Sequence, residues 1–83
     1  MSPSEVKRIR EKLEMNQSEL AEVLGLAGRI TVTHYETGHR KPSLLTAAVM
    51  RLFDELPEKK SREFRESLQA AILRERKVMR KKS

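Results

Sequence analysis

The sequence predicts an all-α domain, a bundle of four to five short helices with an extended C-terminal helix. Three observations predict it. Two capping-box starts, Ser2-x-x-Glu5 and Asn16-x-x-Glu19, each open a run whose apolar residues recur at helical spacing. Gly25, Gly28, Gly38, Pro42 and Pro57 fall between such runs, where a helix stops. Only one stretch alternates like a strand, and it has no second strand to pair with.

The first helix begins with Ser2 as cap and Pro3 at the first helical position, where its missing N–H costs nothing. Val6, Ile9 and Leu13 share one face, the helix runs to about Glu14, and Met15 joins the core at its end. The second helix follows the Asn16 cap and buries Leu20, Ala21, Val23 and Leu24. Gly25 ends it with a left-handed cap, and Leu26 plugs the core from the turn. The third helix spans Arg29 to Glu36, although its four successive β-branched residues (Ile30, Thr31, Val32 and Thr33) favour a strand on propensity alone. Context decides for a helix: Val32 and Tyr35 are spaced to bury together, Gly28 caps and Gly38 terminates. Ser43 caps a fourth helix with Leu45, Ala48, Val49, Leu52 and Leu56 at helical spacing, and Pro57 breaks it. A fifth helix starts between Glu58 and Ser61 and reaches as far as Arg80, with Phe64, Leu68, Ala71, Ile72 and Met79 on one side.

An 83-residue chain allows one small domain with marginal stability. Residues 1–57 are expected to form the folded unit, and 58–83 the C-terminal helix and basic tail. The net charge of +6 is uneven: residues 74–82 carry +5, leaving +1 for the rest. A polyanionic partner or a merely solubilising tail both account for that excess. There is no cysteine, and His34 and His39 lack further ligands at zinc spacing, so no metal or cofactor is expected. No apolar run approaches the roughly 18 residues of a membrane span, and no secretory segment opens the chain, so a soluble cytoplasmic protein without membrane contact is expected.

The pattern N-Q-x-E-L-A-x-x-L-G, followed by V-x-x-Y-E-x-G and a basic K-P, resembles the Cro/C1-type (Xre family) helix-turn-helix proteins. The residues that carry the resemblance are Gln17, Glu19, Leu20, Ala21, Leu24, Gly25, Val32, Tyr35, Glu36, Gly38 and Pro42. It covers roughly residues 4–56 and implies a lambda-repressor-like DNA-binding fold. The chain departs at one point: six residues separate Gly25 from Val32 where the family usually has five, which lengthens the turn at Ala27-Gly28.

By that resemblance the third helix enters the major groove of double-stranded DNA and the second crosses the backbone. Arg29, Ile30, Thr33 and His34 are then the base-contact candidates. A guanidinium can bond guanine O6 and N7 together, and Thr33 and Ile30 suit thymine methyls. The alternatives are a surface salt bridge for Arg29 and core burial for Ile30. Phosphate contacts are expected from Asn16 and Gln17, and from Thr37, Gly38, His39, Arg40 and Lys41 in the basic loop. The resemblance also implies a structural ion pair between Arg10 and Glu36, and binding as a two-fold homodimer. Phe64, Leu68, Ile72 and Met79 either form the dimer or partner stripe or complete the monomer core. Beyond Arg74 the charge is too dense for a buried seam, and the helix is expected to fray into a tail touching phosphate.

The expected function is a sequence-specific transcriptional regulator, a repressor or autoregulator. The alternative is an antitoxin-like interaction module whose C-terminal helix binds a toxin or other protein partner. An enzyme is not expected: there is no carboxylate pair in a plausible cleft, no Ser/His/Asp arrangement and no Gly-rich phosphate loop.

Overall fold

The computed structural model describes residues 1–82 and holds five helices: α1 (Pro3–Lys12), α2 (Gln17–Val23), α3 (Arg29–Thr37), α4 (Leu44–Glu55) and α5 (Glu58–Lys82). No strand occurs among the described residues, so the all-α bundle with a long last helix is the fold observed. None of these helices is long and apolar enough to cross a membrane.

Both capping boxes close. Ser2 Oγ accepts from the Glu5 N–H at 3.2 Å, and the Glu5 carboxylate accepts from the Ser2 N–H at 3.1 Å. Asn16 and Glu19 repeat the exchange at 2.8 and 2.9 Å. At the other end of α2, the Leu26 N–H donates to the Ala21 carbonyl at 2.9 Å and the Gly25 N–H to Glu22 at 3.2 Å. Gly25 is left-handed there, at φ 68°. α1 ends with the same paired closure, Met15 to Arg10 and Glu14 to Glu11, but its left-handed residue is Glu14, at φ 57°. A side chain in that conformation costs about 1 kcal/mol relative to glycine. The closure ends α1 at Lys12, short of the expected Glu14.

The core gathers Val6, Ile9 and Leu13 from α1, Leu20, Ala21 and Val23 from α2, Val32 and Tyr35 from α3, and Met50 and Phe53 from α4. α3 is helical despite its β-branched run because it packs on both α1 and α2, with Val32 and Tyr35 buried between them. Burying two such side chains stabilises by roughly 3–5 kcal/mol, against a propensity deficit of a few tenths per β-branched residue.

α4 corrects the sequence expectation. Leu45, Ala48 and Leu52 are exposed, Val49 and Leu56 are half-buried, and the inward residues are Met50 and Phe53. Apolar side chains cover most of this helix, so spacing fixes its period but not which arc turns inward.

Pro57 ends α4, and Ser61 ties α5 to it: its buried hydroxyl donates to the Phe53 carbonyl at 2.6 Å. Phe64 meets Phe53 edge-on at 5.6 Å between ring centroids. α5 then runs along α2 and crosses the turn after it. Ile72 lies over Gly25, where a Cβ would come within 3.2 Å of its Cδ1. One turn further on, the Arg76 Nη2 donates to the Leu26 carbonyl at 3.0 Å. The helix continues to Lys82, so the expected fraying beyond Arg74 does not occur. Arg, Lys and Glu are good helix formers, and Arg76 anchors the segment. The side chains of Lys81 and Lys82, in the same basic run, lie outside the described residues.

Candidate nucleic-acid interface

α3 divides cleanly into two faces. Val32 and Tyr35 point into the core, while Arg29 and Ile30 stand in solvent with Thr33 and His34 half-covered. Ile30 is 57% exposed, which removes the core alternative for it. Arg29 makes no ion pair among the described residues and borders an open hollow with Arg10, Asn16, Gln17 and Ser18. The His34 ring rests against His39, centroids 5.1 Å apart, and the Arg40 N–H donates to the His34 carbonyl at 3.2 Å. Thr37 Oγ1 donates to the same carbonyl at 3.4 Å. The loop therefore folds back on the end of α3 and brings Thr37, Gly38, His39 and Arg40 to one edge. Lys41 follows, exposed.

Beneath that face runs a chain of hydrogen bonds. Arg10 grips Glu36 with both arms, Nε to Oε2 at 2.6 Å and Nη2 to Oε1 at 3.0 Å, and its Nη1 donates to the Met15 carbonyl at 3.1 Å. The Gln17 amide nitrogen donates to the same carboxylate at 3.3 Å, and its carbonyl accepts from Thr33 Oγ1 at 2.9 Å. The chain runs Arg10–Glu36–Gln17–Thr33 and fastens α1, α2 and α3 together. Burial pushes the Glu36 carboxyl up, but the hydrogen bonds from Arg10 and Gln17 outweigh it and hold it below the usual glutamate range. Those same bonds to Glu36 raise the Arg10 guanidinium above its ordinary value.

The polar groups at the start of α2 are occupied. The Asn16 side-chain oxygen caps the Glu19 N–H, the Asn16 N–H goes to the Glu19 carboxylate, and the Gln17 side chain bridges Glu36 and Thr33. Spacing within the motif gives no sign of the Gln17 bridge, because its partners lie on another helix. Arg76 was not singled out by sequence either. It borders a second hollow with Ala27, Gly28 and Arg29, an adjacency that only the path of α5 creates. Of the C-terminal stripe, Phe64 and Leu68 pack against the core, Ile72 covers Gly25, and only Met79 stands free, 70% exposed. The stripe thus largely completes the monomer and is not a continuous open seam.

A five-helix bundle whose second and third helices are joined through a left-handed glycine turn, with one helix face held outward by a buried polar chain, defines a helix-turn-helix protein. A family model for MqsA, the antitoxin component of a bacterial toxin–antitoxin system, matches residues 1–65, and the chain belongs to that family. No curated protein and no solved structure matches it.

Proposed function

We propose that this chain is the DNA-reading part of an antitoxin: a sequence-specific transcriptional regulator of the Cro/C1 type that represses or autoregulates as a homodimer in the cytoplasm. α3 lies in the major groove, with Arg29, Ile30, Thr33 and His34 toward base edges. Backbone phosphates are met by the positive N-terminal end of α2 at Asn16 and Gln17, whose side chains stay engaged with Glu19, Glu36 and Thr33, and by Thr37 to Lys41. The observation that carries the reading is the exposed Arg29–Ile30 pair on a helix otherwise fixed from beneath by Val32, Tyr35 and the Gln17–Thr33 bond. No catalytic step is part of it. The family match favours a toxin as a further protein partner.

Selection from a random duplex library identifies the operator, and Arg29→Ala tests the readout. The variant is expected to lose about tenfold or more in discrimination between operator and random DNA, the worth of one bidentate base contact. An equal loss on both DNAs would assign Arg29 to phosphate. Failure of the wild type to enrich any sequence would overturn the reading.

A further inference from the structure

We infer that Arg76, near the end of α5, grips a backbone phosphate of the DNA that α3 enters; this rests on the DNA-binding reading above and adds to it a contact from the last helix. The side chain is fixed before any ligand arrives. One turn earlier on α5, Ile72 covers Gly25. Arg76 Nη2 then donates to the Leu26 carbonyl at 3.0 Å, which uses one of the five guanidinium N–H groups. Arg76 makes no ion pair among the described residues, so its remaining donors are open to an anion. Arg76 and Arg29 both line an open hollow of about 290 Å³, together with Ala27 and Gly28 of the lengthened turn. There is room at Gly28, where an added Cβ would meet nothing within 4 Å. The one acid on this hollow is Glu22, exposed and outnumbered by the two arginines.

Location names the anion. The hollow shares Ser18 and Arg29 with the one bordered by Arg10, Asn16 and Gln17, so the two adjoin along the starts of α2 and α3. Asn16 and Gln17 lie at one end of this trough and Arg76 at the other, beside the first residue of α3. A major groove is roughly 12 Å wide and walled by the two sugar-phosphate backbones. A cation beside a helix seated in that groove, and not on its outward face, meets a wall and not base edges. The guanidinium fork suits that wall because it bonds two phosphate oxygens together, and the bond to Leu26 lowers the cost of ordering it. One ordered arginine carries this contact, not the diffuse charge of the basic run around it.

The test is binding of the full chain to the selected operator and to a random duplex across a series of salt concentrations. Arg76→Gln is expected to weaken binding about fivefold on both duplexes and to lower the slope of log affinity against log salt by about 0.9, the worth of one phosphate. Arg76→Lys keeps the charge and should keep the wild-type slope. Arg74→Gln removes the same charge from the opposite side of α5 and should leave the slope within error. Gly28→Asp sets a carboxylate in the hollow without touching α5. Gly28 is extended, at φ 176°, so the backbone accepts the change, and an aspartate there can cap α3. Its affinity should fall as for Arg76→Gln while its urea midpoint holds or rises. Wild-type affinity and slope in Arg76→Gln or in Gly28→Asp overturn the contact and leave the hollow to an acidic protein partner, with the operator selected by the wild type still standing. An equal fall in slope for Arg74→Gln overturns it too, since the basic run then acts as diffuse charge. A wild type that binds DNA without preference, while Arg76→Gln alone lowers the slope, upholds the phosphate contact and overturns the sequence-specific reading. Absence of any DNA binding overturns both.

Discussion

Helix α1 reaches two neighbours through ion pairs that look alike in composition and differ in setting. On one side Arg10 holds Glu36 of α3, with 14% and 8% of the two side chains exposed. On the other, Arg8 and Lys12 hold Asp54 of α4 at 3.1 and 2.7 Å, but both cations are 54% exposed. Every polar arm of the first pair has a geometric partner, and the Gln17 amide shares the carboxylate. Water can replace each partner of the second. The cluster with more ion pairs is therefore not the one that stabilises more, and burial with complete hydrogen bonding decides which of the two shapes the fold.

The sharpest way to break this comparison is to remove one arginine from each cluster, Lys12 remaining on Asp54 in the second. Arg10→Ala strands a buried carboxylate, and the urea midpoint should fall by the equivalent of about 3 kcal/mol, the low end for breaking a buried pair. In so small a domain that is a large share of the total. Acid separates the clusters next. Glu36 is held below its ordinary value of 4.5, so its contribution is present above that pH and lost as pH falls through its folded value. Without Arg10, burial is opposed only by Gln17 and Lys7 and the carboxyl rises. The Arg10→Ala deficit measured by urea at pH 7 should therefore shrink when the same titration is run near pH 4; a deficit constant with pH would mean that charge is not what Arg10 supplies. The smallest effect belongs to Arg8→Ala. Arg8 and then Lys12 hold the Asp54 carboxyl low, but both cations stand half in solvent and Lys12 stays when Arg8 is removed, so the midpoint should move within error and any movement should vanish in molar salt.

Much of the fold was legible because its signals are local. The capping boxes, the glycines at 25 and 38 and the break at Pro57 each act within one turn of chain, and helix limits followed to within a residue or two. α3 needed more than local chemistry, since four β-branched residues argued against it and only the joint burial of Val32 and Tyr35 settled the matter. α4 shows where periodicity runs out. Leucines at 45 and 52 are spaced as well as Met50 and Phe53, and only the tertiary neighbours, α1 on one side and α5 through Ser61 and Phe64 on the other, turn the second set inward. The candidate interface divides in the same way. The exposure of Arg29 follows from counting back from Val32, that of Ile30 was left open by the spacing, and the Gln17 bridge and the Arg76 anchor depend on partners 16 or more residues away.

The turn between α2 and α3 is closed by residues made much later. Ile72 covers Gly25, and Arg76 reaches the Leu26 carbonyl across 50 positions. A ribosome delivers the chain from its N-terminus, so α1 to α4 can assemble while this turn still lies open to water. The turn leading into α3 is then covered only when the last third of the chain has emerged, and a nascent or cleaved product lacking that third has α3 tied to α1 and α2 but the turn before it bare.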